Sequence, residues 1–536
     1  MKYAIGVDFG TLSARALLVR LDNGEEIADA VSPYEHAVMD EALPSQKKLP
    51  RAMALQMPKD YINSLSSATK EVLKKSGVNP CDVIGLGIDF TASTVLPVDE
   101  NGTPMCEKEE YKENPHAYVK LWKHHSAENE AREITELAKK RGEPWLSSYG
   151  GKISAELALP KILETARSAP KLYADTFRFT EAADWLSLVL TGKETRSPAF
   201  AGYKYFWNQQ SGYPENDFFR SLDPMLDGIV GTKLPKEVNY SINESAGLIN
   251  ELGAEITGLC EGTALALPMI DAHASMAGLN ITGDGDIVMI IGTSTCHVLN
   301  SEKKSDVSGI FGYVKDGVIP GLYTYEAGQS GVGDMFDWFV KNSIPSAYEK
   351  EASEKGVSIN KLLGEKASLL KIGESGLIAL DWFSGNRSIL ADSSLTGMIC
   401  GLTLKTKPEE IYRALLEATA FGARVIFEQY ENFGIKIGKV TAAGGISGKD
   451  ELMMQIYADV LKKDVHIAAS ALSGALGSAV YAAAAGGAFP SIKAASQALA
   501  KPAARVFHPI EENSLKYDIL YEKYKSLHDY FGKNKD

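Results

Sequence analysis

What the sequence lacks narrows it first. Its five cysteines (Cys81, Cys106, Cys260, Cys296 and Cys400) are odd in number, widely scattered and form no Cys-x-x-Cys pair. Neither a disulfide framework nor a zinc site is indicated. No apolar run approaches the roughly 20 residues that span a bilayer. Basic side chains are outnumbered, 56 Lys and Arg against 69 Asp and Glu, for a net charge of −13. That balance argues against a nucleic-acid or anionic-membrane surface. Two nucleotide fingerprints are missing as well. The phosphate loop G-x-x-x-x-G-K-[ST] does not occur, and the nearest approach to G-x-G-x-x-G is Gly85-x-Gly87, where Phe90 replaces the third glycine. The opening "MKYAIGVDFG" has one lysine followed by strand-like alternation, so it does not read as a signal peptide. These exclusions point to a reduced, cytoplasmic, globular protein. At 536 residues it should hold two to four domains.

What is present is a repeated pattern. The stretch "YAIGVDFGTLSARALLV" (3–19) runs from an apolar segment into Asp8, a Gly10-Thr11 turn and a second apolar segment. Alternation continues to the hairpin signal Asp22-Asn23-Gly24, giving a three-strand antiparallel meander. A helix is expected over 58–76, opened by Pro58 and closed by Gly77, then a buried strand over 84–91. The order returns in the second half. Strand 286–291, turn Gly292-Thr293-Ser294 and strand 295–299 precede another strand near "GLYTYEAG". Helix 408–430, strand "KVTAAGG", helix 449–462, strand "DVHIAAS" and the Ala/Gly-rich helix 473–487 complete that half.

A Gly-Thr-Ser turn offers backbone N–H and hydroxyl donors with no side chain in the way, which suits phosphate oxygens. Two such turns can hold a polyphosphate, and Asp8 lies where a Mg²⁺ on it would sit, through water. One copy alone is more often just an Asx turn. Two copies in matching contexts favour the phosphate reading.

"GVDFGT", "IGTST" and "AAGGISGKDELMMQIYAD" resemble the FGGY family of carbohydrate kinases. The likeness extends through "KLWKHHSA" (120–127), "IDAHASMAG" (270–278), "YEAGQSGVGD" (325–334) and "GMICGLTLKTKPEEIYRALLEA" (397–418), in the family's order. It implies an α/β fold of two actin-like (ribonuclease H-like) ATPase lobes around a central cleft. The lobes would cover 1–276, with sugar-binding insertions, and 277–510, with the nucleotide; 511–536 would be a helical tail packed on the surface.

The resemblance implies ATP-dependent phosphorylation of L-ribulose to L-ribulose 5-phosphate, with Mg²⁺. Another ketopentose or pentitol, such as xylulose or ribitol, is the alternative. A sugar-independent actin-like ATPase is the reading from a different class. Asp271 matches the family's general base; by itself it also reads as the N-cap of the helix "AHASMAGL". Ala92, Trp122, Lys204 and Glu326 match sugar-pocket positions beside Asp271. Gly10, Thr11, Ser13 and Arg15 would face the phosphates from the first turn, with Gly292, Thr293 and Ser294 opposite. Gly444 and Gly445 would let the adenosine lie against bare backbone. Asp450 stands where the family commonly has asparagine, and an ionised aspartate can only accept hydrogen bonds from a base edge. His124 and His125 are adjacent and point in different directions, so ordinary polar contacts are expected of them. The partner is a small sugar, with no nucleic acid and no membrane; a homodimer is left open.

Overall fold

The computed structural model describes residues 1–533. It divides into two compact units, each assembled from separate pieces of chain. The first comprises Met1–Thr282, Tyr313–Thr324 and Leu472–Lys501; the second comprises Gly283–Gly312, Tyr325–Ala471 and the chain from Pro502 onward. Among the described residues no helix is long and apolar enough to cross a membrane.

In the first unit, β1 (Tyr3–Phe9), β2 (Ser13–Arg20) and β3 (Glu26–Pro33) form the antiparallel meander, with Gly24 at φ 70° in the hairpin turn. β4 (Val83–Phe90) lies parallel to β1 on its other side, in a register that sets Asp8 beside Asp89. Strands Ala264–Ala266 and Ser245–Leu248 extend the sheet beyond β4. The helix Pro58–Ser76 starts on proline and stops at Gly77, whose φ of 64° is the left-handed cap glycine adopts readily. Its buried stripe of Tyr61, Leu65, Ala68 and Val72 covers the meander.

One element belongs elsewhere than expected. The Ala/Gly-rich helix, Ser473–Ala485, is flanked in sequence by chain of the second unit but packs in the first. Three glycines on β1 and β4 explain why. A Cβ at Gly6 would lie 1.8 Å from the Ala475 carbonyl oxygen, one at Gly87 2.0 Å from that of Ser478, and one at Gly85 2.2 Å from that of Ala482. The strands have been emptied of side chains so that this helix can rest on their backbone. A helix apolar on every side must be buried, but its pattern does not say against what.

The cysteine reading also needs correction: Cys81 and Cys260 are joined as a disulfide across a separation of 179 residues. Cys81 precedes β4 and Cys260 precedes Ala264–Ala266, and these two strands are parallel neighbours. Sheet register brings the thiols together, and spacing along the chain is blind to that. Cys106, Cys296 and Cys400 take no part in a disulfide among the described residues.

In the second unit, six strands lie in the order Tyr323–Gln329, Thr295–Ser301, Ile287–Ile291, Val440–Ala443, Val465–Ile467, Arg505–Phe507. Helices Pro408–Asn432 and Glu451–Leu461 pack on one another. The tail helix Glu511–Lys533 is set more deeply than a surface helix. Tyr517, Tyr521 and Tyr524 are buried, the Tyr524 hydroxyl donates to Asp381 (2.9 Å), and Arg413 donates to the Tyr517 hydroxyl (3.1 Å). Tyrosines read as polar in the pattern, yet their rings form the packing stripe. The end of the expected tail, 534–536, lies outside the described residues.

Candidate active site

The first unit gathers Asp8, Gly10, Thr11, Ser13, Arg15, Ala92, Trp122, Lys204 and Asp271. The Gly10 turn closes with a Gly10 N–H to Ser13 carbonyl bond of 3.0 Å, and the Tyr34 hydroxyl donates to the Gly10 carbonyl at 2.9 Å. Ser13 is buried at the foot of β2. Arg15 points at Asp8 across 3.4 Å. Burial raises the Asp8 carboxyl above the ordinary range, with Arg15 opposing it. Asp89, wholly buried, is raised much further by desolvation and by the charge of Asp8. Ser478 donates to one Asp89 oxygen at 2.6 Å; the other, Oδ1, is buried with no hydrogen-bond partner. Gly474, in the first turn of Ser473–Ala485, keeps the space before both acids open: a Cβ there would stand 3.6 Å from each.

Asp271 opens the helix Asp271–Gly278 at its first position, so Ile270 is the N-cap and not Asp271. The Asp271 carboxylate accepts from the Ala272 N–H at 2.7 Å. Two more glycines fix this helix against Ser473–Ala485. A Cβ on Gly477 would fall 1.8 Å from the Ala274 carbonyl oxygen, and one on Gly278 2.5 Å from that of Ser473. Lys204 ends the short helix Pro198–Lys204 and is buried. The ring of its neighbour Tyr203 lies 4.5 Å from that of His273, tilted by 42°, two residues past Asp271.

Trp122 is about one-third exposed, at 36%, and its indole N–H donates to the Thr11 hydroxyl at 3.3 Å. Thr11 is held from the other side by Gln56, which donates to its carbonyl at 2.7 Å. The Ala92 loop follows β4, with Ser93 at φ 59°. His124 makes polar contacts only: it accepts from the Ala54 N–H at 3.3 Å and faces Glu164 at 3.0 Å. Burial lowers its pKa to about 4.

The second unit gathers Gly292, Thr293, Ser294, Glu326, Gly444, Gly445 and Asp450. Its Gly-Thr turn closes with a Gly292 N–H to Ser294 carbonyl bond of 2.9 Å. The Gly333 and Val332 N–H groups donate back to it, onto the carbonyls of Gly292 (3.0 Å) and Thr293 (2.9 Å). Gly444 has φ 95°, and a Cβ there would lie 2.4 Å from the Ile291 carbonyl oxygen; Gly445 faces open space. A cleft of about 960 Å³ opens beside these backbones, lined by Gly292, Thr293, Gly445, Asp450, Tyr412 and Asn360. Its size suits a small-molecule ligand such as a nucleoside. Asp450 lines the cleft but also caps the helix Glu451–Leu461, accepting from the Met453 N–H at 2.9 Å. Glu326 is buried and paired with Arg387 at 3.1 Å.

Residues 3–278 match the N-terminal domain of the FGGY family of carbohydrate kinases, and residues 287–486 match its C-terminal domain. The chain belongs to this family. A member of the FGGY family is a phosphotransferase acting on sugar, and members use ATP. Relatives extend over the full chain. A ribulokinase of Halalkalibacterium halodurans is 48% identical over 99% of this chain and 95% of its own. One of Bacillus licheniformis is 50% identical over 97% and 95%. Among solved structures, a xylulose kinase from Rhodospirillum rubrum superposes with a TM-score of 0.80 at 21% identity, covering 98% of each chain. A gluconate kinase from Lactobacillus acidophilus gives 0.81 at 18%, covering 99% and 98%. At those identities the structures establish the shared two-domain fold.

Several residues that stand beside the expected positions escape the sequence reading. Asp89 falls in the segment 89–94 expected as a pocket wall, but its place beside Asp8 is missed, although "GVDF" and "GIDF" end alike on neighbouring strands and offered a signal. Gln56 and Asn360 carry no motif, and Tyr412, inside the matched 397–418 segment, is not marked there as a cleft residue. Only the folded chain brings them to the turn and the cleft.

Proposed function

We propose that the protein transfers the γ-phosphoryl group of ATP to the terminal hydroxyl of L-ribulose, giving L-ribulose 5-phosphate. One observation carries the reading: relatives bearing the name ribulokinase are 42–50% identical along nearly the whole chain, so sugar-recognition segments are shared as well as the nucleotide fold.

Phosphoryl transfer asks the protein for positioning, charge neutralisation and a base. Asp271 is the base. At the first position of its helix it stands at the positive end of the helix dipole, which favours the ionised carboxylate. It then takes the proton of the attacking hydroxyl, a contribution of about 10²–10⁴ in rate. Trp122 offers a flat apolar face to the sugar's C–H surface. Lys204, Glu326 and the Ala92 backbone hold its hydroxyls. Gly10 and Gly292 spend their N–H groups on closing the turns; the N–H groups of Thr11, Thr293 and Ser294 receive phosphate oxygens, with Arg15 supplying positive charge. Gly444 and Gly445 lie under the adenosine, and Asp450 borders it.

Mg²⁺ fits the residues present. Asp8 and Asp89 place two carboxylates side by side, and Asp89 Oδ1 is buried without a donor, the oxygen-rich surroundings a hard cation prefers. Asp8 would hold the ion through water. When bound, the ion neutralises charge on the β- and γ-phosphates. We place the enzyme in the cytoplasm, where ATP is available. A homodimer is for light scattering to decide.

The test is a panel of pentuloses and pentitols assayed for ADP release, with the phosphorylated carbon located by NMR. L-ribulose should be turned over with the highest kcat/KM and modified at C5. Equal ADP release with and without sugar would overturn the proposal.

A further inference from the structure

Behind the Ala92 and Trp122 loops lies the helix Ala158–Ser168, and one of its faces is devoted to them. Lys161 is wholly buried on that face. Its ammonium donates to the Ser93 carbonyl at 2.8 Å and to the Leu121 carbonyl at 2.7 Å. Each of those residues is the immediate chain neighbour of a sugar-pocket position, Ala92 in one loop and Trp122 in the other. One turn further on, Glu164 takes the Lys120 ammonium, the His124 ring at 3.0 Å and the Ser126 hydroxyl, while Thr165 accepts from Lys120 at 2.7 Å. The first loop is secured again by Glu181, which accepts from the Thr94 N–H at 2.8 Å and the Thr94 hydroxyl at 3.0 Å.

This arrangement is costly for packing alone. A lysine amine taken out of water must be repaid by specific partners, and an apolar side chain would fill the same space without that penalty. Ser93 is also held at φ 59°, a left-handed conformation that a non-glycine residue keeps only when its surroundings impose it. Burial brings the Lys161 pKa down to about 7. Charged or neutral, the amine retains at least two N–H donors, and two carbonyls are what it meets.

We propose that Lys161 is a positioning residue for sugar recognition, an internal tie that fixes the Ala92 loop and the Trp122 loop at one spacing before the sugar arrives. The inference rests on reading Ala92 and Trp122 as sugar contacts. Lys161 touches no substrate; it acts through the two backbones it joins.

The test is Lys161→Met, which keeps the aliphatic stem and removes both donors, beside Trp122→Ala, which examines the sugar site itself. With Lys161→Met the KM for L-ribulose should rise roughly 10- to 100-fold, the range that loss of charge-assisted hydrogen bonds converts to. The KM for ATP should stay within about twofold, since the tie reaches no nucleotide position. A rise in sugar KM for Trp122→Ala but not for Lys161→Met overturns the tie and leaves the sugar site standing. Unchanged sugar KM in Trp122→Ala removes the site reading, and the tie falls with it. Equal rises in both KM values for Lys161→Met mark a merely structural lysine and also overturn it. Hydrogen exchange on the sugar-free wild type decides the matter should the variant not fold. The hydrogen-bonded amides of the two loops, Thr91 and Thr94 in one and Leu121 and His124 in the other, should then exchange as slowly as those of β4, and open-loop rates at either pair refute the proposal.

Discussion

Replacing Gly477 by alanine should damage catalysis without touching a reacting group. The added Cβ would stand 1.8 Å from the Ala274 carbonyl oxygen, whereas ordinary contact begins near 3.4 Å. The difference, 3.4 − 1.8, is about 1.6 Å, and backbone lies on both sides of it, so the helix carrying Asp271 must move by roughly that amount. A misplacement of about 1 Å in a catalytic group can cost about 10²-fold in rate, so kcat/KM should fall at least that far. Strain of about 1–3 kcal/mol should lower the melting temperature by several degrees and leave a folded protein. Coupled-enzyme measurement of ADP release, alongside thermal melting, checks both numbers. Gly448→Ala is the control, because a Cβ there meets nothing within 4 Å. Should Gly477→Ala not fold, Gly278→Ala is the milder form, with its Cβ 2.5 Å from the Ser473 carbonyl oxygen. A folded Gly477→Ala enzyme with kcat/KM within about twofold of wild type would refute the claim that this glycine contact places Asp271.

Asp271→Asn should lower kcat by about 10²–10⁴ while L-ribulose binding, read by calorimetry, changes only a few-fold. Acid should loosen the structure around Trp122, because burial lowers the pKa of His116 to about 3 and of His124 to about 4. Each imidazole binds its proton more readily unfolded, so stability present above about pH 6.5 should be lost as pH falls toward 4, by up to about 2.7 kcal/mol per pH unit; urea unfolding from pH 7 to 5 measures the slope, and His124→Gln should reduce it. Thiol titration of the unreduced, denatured protein should find Cys106, Cys296 and Cys400 only; five reactive thiols would show the Cys81–Cys260 bond absent. Asp450→Ala should cost about 1 kcal/mol as a lost helix cap, and Asp450→Asn much less.

Local chemistry was readable and long-range partnership was not. The meander follows from alternation and the Asp22-Asn23-Gly24 turn, and the helix Pro58–Ser76 from its proline start and glycine stop. Both Gly-Thr turns announce themselves because few residue types leave backbone donors bare. The Asp8–Asp89 pair, the Cys81–Cys260 bond and the grip of Lys161 on Ser93 and Leu121 all depend on strand register or helix docking across many residues. Asp450 shows a third limit. Its position beside the cleft could be matched to a motif, while its hydrogen bond to Met453 needed the helix start to be located within one residue.

The helix that rests on Gly6, Gly85 and Gly87 is encoded some 470 residues after β1 begins. During synthesis, the opening strands therefore leave the ribosome with their glycine face bare and wait for nearly the entire polypeptide before it is covered. Chaperone protection of nascent chains should accordingly persist until Ser473–Ala485 has emerged, and truncation anywhere before it should yield insoluble product however intact the earlier sequence.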